Sequence, residues 1–276
     1  MIKKTKDHFP SMQRFIRMLL MIWPIVASAN DVDFPMQVPW PNFAGFGVGA
    51  YPDYIGSDNT KVGAAPLARI GLGGNRFIRL VVNEVRINVI DHPNWRFGLE
   101  GLLRLSRKDV DDDVVKKIHS VDNTIDLGLF AGYNWIDPQE FRIQAGIDIW
   151  GLADVTGTHE GWTAGMSLYG MYPLARMFSI SGGVASTYGS GNYMDTYFGI
   201  TRKDSIASGL PVFSPDGSVR DVRGWTMLML HLSRQWHLGA GLMYSRLVGD
   251  AADSPIVTKR GSANQWVFGG GLMYAW

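Results

Sequence analysis

The sequence contains no cysteine, which excludes a disulfide scaffold and a cysteine-ligated zinc site. It has no surplus of either charge. Against 26 Lys and Arg stand 25 Asp and Glu, so the basic surface of a nucleic-acid binder is missing and nucleic acid is not an expected partner. Beyond residue 29 no stretch approaches about 18 consecutive apolar residues, so no transmembrane helix is predicted there. What is abundant is an unusual pair: 33 Gly beside 10 Trp, 10 Tyr and 13 Phe in 276 residues, 46% of them hydrophobic. The apolar content excludes compositional disorder. So much Gly disfavours helices and so many aromatics disfavour a linker, which points to an all-β architecture.

Residues 1–29 have the order of a cleaved export signal. Lys3, Lys4, Lys6, Arg14 and Arg17 precede an apolar run from Met18 to Val26, and Ala27-Ser28-Ala29 supplies the small-residue cleavage site. The run is too short to span a bilayer, since a spanning helix needs about 20 residues. Cleavage after Ala29 removes those basic residues and only Asp7 among the acids. The exported chain is therefore mildly acidic. Residues 30–42 read as a periplasmic segment and residues 43–276 as the folded body.

Hydrophobic alternation defines that body. From Phe141 to Ile149 the odd positions are apolar, whereas Arg142, Gln144, Gly146 and Asp148 are polar or tiny; a period of two is the signature of a strand with one apolar face. The pattern recurs and predicts strands over 43–50, 61–71, 76–82, 84–90, 95–106, 121–133, 139–152, 162–172, 177–188, 220–232, 235–248 and 263–276. Most run to about ten residues, the length that crosses an outer membrane at a tilt, whereas soluble strands average about five or six. Trp95, Trp135, Trp162, Trp236 and Trp276 fall at strand ends, where a membrane-interface girdle places aromatics. The connections alternate in length. The turns near 72–75, 91–94, 134–138, 173–176 and 233–234 are short, whereas 51–60, 107–120, 153–161, 189–219 and 249–262 are long, and only the hairpin at Asn83 and Glu84 departs from this. Short periplasmic turns, long external loops and an even strand count predict a transmembrane antiparallel β-barrel of about 12 strands in an up-and-down meander.

Several loop segments then become recognisable. Gly49-Ala-Tyr-Pro-Asp-Tyr-Ile-Gly-Ser57, Ala65-Pro66-Leu67, Asp195-Thr-Tyr-Phe-Gly-Ile-Thr201, Gly249-Asp-Ala-Ala-Asp-Ser-Pro-Ile-Val257 and Arg260-Gly-Ser-Ala-Asn-Gln265 resemble the MltA-interacting protein (MipA/OmpV) family. The resemblance extends over roughly Phe43 to Trp276. It implies a non-enzymatic protein of the bacterial outer membrane, in contact with outer-membrane lipids and lipopolysaccharide. It also implies a scaffold or adaptor that brings a lytic transglycosylase and a penicillin-binding protein together on peptidoglycan. Resemblance to outer-membrane proteins at large implies that Leu272, Tyr274 and Trp276, the alternating end of the last strand, form the signal read by the barrel-assembly machinery. No cofactor or metal is implied.

The candidate sites are sparse. Arg86, Arg96, Glu100, Arg104, Asp126, Arg142 and Asp148 are predicted to face the lumen, with Phe130, Trp150 and Tyr169 beside them. Such a mixed-charge set either lines a narrow solute path or pairs across a filled interior; an occluded or very narrow lumen is the reading adopted, with a narrow channel as the second. His231-Leu-Ser233 places His and Ser on one face of a strand, the arrangement of outer-membrane lipases. It lies at the periplasmic end and lacks an orienting partner, so a girdle His beside a turn Ser is preferred and a lipid-modifying enzyme ranks third. The run from Arg107 to Asp113 reads as a solvated loop without the ordered spacing of a calcium site. The segment 189–219 is long enough either to fold as a short helix into the barrel mouth or to remain an ordinary external loop.

Overall fold

A computed structural model describes residues 41–276; the expected export signal and most of the 30–42 segment lie outside the described residues. The described chain folds into twelve antiparallel strands that close into a barrel in which each strand pairs with its sequence neighbours. They are β1 (Phe43–Pro52), β2 (Thr60–Gly71), β3 (Phe77–Val81), β4 (Glu84–Asn88), β5 (Trp95–Arg104), β6 (Thr124–Ile136), β7 (Gln144–Asp154), β8 (Trp162–Ala175), β9 (Phe178–Gly189), β10 (Ser218–His231), β11 (Trp236–Leu247) and β12 (Asn264–Ala275). β1 and β12 join the two ends of the meander, from Phe43 opposite Ala275 to Ala50 opposite Phe268. That last pairing removes the free edges that lipid could not satisfy.

The period of two becomes an inside and an outside. On β6, Ile125, Leu127 and Leu129 are exposed, whereas Thr124, Asp126 and Phe130 are buried. In a barrel that sits in lipid, exposed apolar and buried polar groups are the stable arrangement. Aromatic pairs mark both rims. Trp95 meets Tyr133 at 4.9 Å and Trp236 meets Tyr274 at 5.0 Å at the end that carries Phe43 and Trp276, while Trp162 stacks on Tyr188 at 5.4 Å and Tyr244 leans on Trp266 at 4.7 Å at the opposite end. Phe43, Trp276 and the short turns share one end, which such barrels direct to the periplasm; the long loops share the outer end.

Two local departures from a regular wall matter. The inward face of the closing seam is glycine on both strands, with Gly47 opposite Gly271 and Gly49 opposite Gly269. A Cβ at Gly271 would lie 2.6 Å from the Phe46 carbonyl oxygen, and one at Gly269 2.6 Å from that of Val48, so backbone approach excludes any side chain there. The second departure is length: β3 and β4 have 5 residues each, about half of what crosses the membrane. Their hairpin turns early at Val82, which adopts φ 60°. This leaves the outer half of β2, from Thr60 to Pro66, without a β3 partner. The long β5–β6 loop leans on that stretch, where Lys61 donates to the Asp109 carbonyl and pairs with Asp53, each at 2.5 Å.

Because Leu129 sits mid-strand on the lipid face, Leu129→Arg is expected to destabilise the folded barrel by about 2–4 kcal/mol. Urea unfolding in lipid vesicles measures this, and an equivalent loss for Leu129→Phe would show that packing rather than lipid exposure sets the cost.

Candidate functional site

Among the described residues, polar chemistry is concentrated in the lumen, where it is layered along the barrel axis. The middle layer is a belt of charges carried by β3, β4, β5 and β7. Arg86 Nε lies 2.8 Å from Glu100 and 3.1 Å from Glu84, and Arg86 Nη1 donates to Asp148 at 2.9 Å. Arg96 takes the other oxygen of Asp148 at 3.0 Å and also contacts the Tyr169 hydroxyl, and Arg79 pairs with Glu84 at 3.0 Å. Phe130 and Trp150 fill the space beside the Arg86 guanidinium, 5.1 and 5.9 Å from their ring centres. Three guanidinium groups thus meet three carboxylates. Removing one partner of such a buried pair would strand the other, at a cost of about 3–5 kcal/mol.

Across the barrel from this wall, β11, β12 and β1 turn Gly239, Gly241, Gly269, Gly271, Gly47 and Gly49 inward. These strands lie opposite β5, β6 and β7 in the closed order. The long charged and aromatic side chains of one wall therefore extend toward a wall that has none.

The outer layer joins the belt to a cap made by the loops. Arg104 donates to Asp126 at 2.7 Å, and His159 Nε2 lies 3.0 Å from the other Asp126 oxygen. Above them the segment after β9 forms α1 (Gly191–Phe198) and α2 (Arg202–Ser208), and the segment after β11 forms α3 (Gly249–Asp253) and α4 (Pro255–Arg260). The long loop thus folds as helices. Tyr193, Met194 and Phe198 are wholly buried against Val121, Leu247 and Val257. A second apolar cluster joins Tyr54, Val110, Val115, Ile118, Ile200 and Ile256 from four different loops. Tyr193 connects cap to wall: its ring lies under Arg104 at 5.0 Å and its hydroxyl accepts from Arg220 at 2.5 Å.

The run from Arg107 to Asp113 is solvated only in part. Lys108, Asp109, Asp111 and Asp113 are exposed, whereas Arg107, Val110 and Asp112 are buried, and Arg107 and Asp112 each have a partner that sequence does not bring near it. Arg107 donates to the Tyr197 carbonyl at 2.7 Å and to the His119 carbonyl at 3.2 Å, and Asp112 holds Arg260 through contacts of 3.0 and 2.6 Å. Burial lowers Arg107 to about 10, and burial together with Asp112 pushes the Tyr54 phenol up to about 12. Asp204 behaves oppositely. Burial would raise its carboxyl, but hydrogen bonds from Thr201 and His119 outweigh that and bring it down to about 2.

Of the residues predicted to face the lumen, Arg86, Arg96, Glu100 and Asp148 meet in the belt, and Arg104 and Asp126 meet below the cap. Arg142 joins neither. It lies in the turn before β7, pairs with Glu140 at 2.9 Å and donates to the Ala175 and Arg176 carbonyls. Arg79, Glu84, Arg220, Asp221 and Arg223 extend the network; alternation on β3, β4 and β10 carries the signal for all but Arg220, which a register shift between Val219 and Asp221 turns inward beside Asp221. His231 is not a girdle residue. It is buried in the lumen, where Nε2 lies 3.1 Å from Ser179 Oγ and Nδ1 lies 2.8 Å from His237 Nδ1. Ser233 instead accepts from the Gln235 and Trp236 amides in its own turn. Among the described residues, Asp126, Asp154 and His159 converge as a group that could hold a cation. Their oxygens are already used by Arg104, His159 and the amides of Thr156, His159 and Glu160.

The family described as MltA-interacting protein MipA matches residues 44–276. Outer membrane protein OmpV of Vibrio cholerae is 26% identical over 169 residues, 59% of this chain and 60% of that protein. Outer membrane protein Omp26La of Vibrio anguillarum is 26% identical over 167 residues, again 59% and 60%. The match thus spans less than two thirds of either relative. Among solved structures the NanC porin aligns with a TM-score of 0.48 at 10% identity, over 85% of this chain and 100% of that one. OmpT of Vibrio cholerae aligns at 0.39 and 8%, over 85% and 96%.

The depressed Asp204 carboxyl contributes cap stability that is present above about pH 4, the ordinary Asp range, and is lost as pH falls toward 2. Asp204→Asn is expected to speed amide exchange at His119 and across α2 about tenfold or more at neutral pH, the worth of a charge-assisted hydrogen bond. After correction for intrinsic rates, the wild type should converge on the variant near pH 2. A difference that persists there would contradict the assignment.

Proposed function

This chain belongs to the MltA-interacting protein MipA family, and from that premise we propose that it is a non-enzymatic outer-membrane barrel that serves as a scaffold or adaptor for murein-remodelling enzymes. The family match over nearly the whole barrel carries the reading. The partner class it points to is a lytic transglycosylase, with a penicillin-binding protein as a second client. The periplasmic surface available to such a partner includes the short turns at 72–76, 89–94, 137–143, 176–177 and 232–235.

The lumen supports a structural rather than a conducting role. A solute would have to displace Arg86 from Glu100 and Asp148, and then Tyr193 from Arg104 and Arg220. Both contacts are desolvated, and breaking either leaves buried charge behind. A narrow solute channel is the second reading, and the space between the belt and the periplasmic turns is the observation in its favour.

Two measurements separate them. In a planar bilayer the purified protein is expected to give no discrete conductance, and salt-dependent steps would establish the channel instead. A photo-crosslinker at Gln139 or Gln235, in the periplasmic turns, is expected to capture a lytic transglycosylase in living cells, whereas the same group at Ala207 in α2 should not. Equal capture at both ends, or none at the turns, would defeat the adaptor assignment.

A further inference from the structure

Between the charge belt and the periplasmic turns the lumen holds a cavity of about 390 Å3, within the range of small-molecule sites. Its two walls differ in chemistry. Arg69, Arg79 and Arg96, from β2, β3 and β5, line one side together with His92 from the β4–β5 turn, and no Asp or Glu lines the cavity among the described residues. Arg79 and Arg96 reach the belt carboxylates through Nη2, while the Nε of each is buried without a hydrogen-bond partner. On the far side of the closed strand order lie Trp225, Met227 and Met229 of β10, Met171 of β8 and Met273 of β12. Thioether side chains adapt to irregular apolar ligands, and guanidinium groups bind carboxylate or phosphate oxygens through several donors at once.

We propose that this cavity binds a single-chain amphiphilic anion, with the acidic head at Arg79 and Arg96 and the hydrocarbon body along the Trp225 and methionine wall. The volume limits the ligand to one chain. A lipid with two acyl chains does not fit. Entry is from the periplasmic end, because the belt and the helical cap lie on the other side. The inference is independent of the adaptor reading, since it invokes neither the outer surface of the turns nor any protein partner.

The acidic head has two sources, a carboxylate or a phosphate ester, and both are tested. The protein is placed in phosphatidylcholine nanodiscs and titrated with 12-bromododecanoate, 12-bromododecyl phosphate and the uncharged 12-bromododecanol, each of which quenches tryptophan on contact. The difference between wild type and Trp225→Phe isolates the cavity signal from tryptophans at the lipid interface. Saturable quenching of Trp225 by at least one of the two anions, about tenfold or more tighter than by the alcohol, is expected, and the tighter anion identifies the head group. Arg79→Gln combined with Arg96→Gln should remove that preference. Absence of saturable Trp225 quenching, or equal quenching by acid and alcohol, would overturn the proposal. The comparison of acid and alcohol on the unaltered protein decides the matter even where the double variant fails to fold. If the variant folds, as read by its heat-modifiable migration, and keeps the preference, the assigned head-group site is wrong.

Discussion

Everything in this protein follows from the requirement that a sheet in lipid have no unpaired edge. Water cannot satisfy a backbone amide in the hydrocarbon layer, so β1 and β12 must find each other across the whole chain. The glycine seam shows what that pairing demands. With Gly269 and Gly271 packed against the carbonyls of Val48 and Phe46, the two ends approach too closely for a Cβ on the inner face at those positions. At that level one wall of the barrel is consequently bare, and long side chains from the wall opposite extend toward it.

That second consequence sets the electrostatics. Arginines reaching into a narrow interior lose hydration and need partners, and the belt from Arg79 to Asp148, in which Arg79, Arg86 and Arg96 meet carboxylates, is the result. The helical cap obeys the same rule. Arg107 is buried only because two backbone carbonyls receive it, and Asp112 only because Arg260 and the amides of Val114 and Val115 do. Polar contacts that span four loops hold the cap over the outer end, while the periplasmic half of the lumen stays open enough to contain a cavity.

The wall was legible in the sequence because its physics is local. Alternation in β5 through β9 reads out inside and outside directly, and loop lengths reveal which end is which. The belt was partly legible for the same reason: Arg86, Glu100 and Asp148 fall on inward positions. What sequence could not show is contact at long separation. Ser179 and His231 are 52 residues apart, Asp112 and Arg260 are 148 apart, and nothing near either pair announces the other. Conversely, the nearby His231 and Ser233 suggested a pair that the turn at Ser233 dissolves. The short β3 and β4 and their tight hairpin were legible too, and only their ends fall one or two residues inside the alternating runs 76–82 and 84–90.

A lumen sealed at its outer end and reachable from the periplasmic end has a direct test. The absence of cysteine from the sequence makes this directly measurable. Met227→Cys places a single thiol in the cavity, and a membrane-impermeant maleimide can be applied from either face of the reconstituted barrel. Labelling is expected from the periplasmic face alone. Labelling from the outer face at a comparable rate would contradict it.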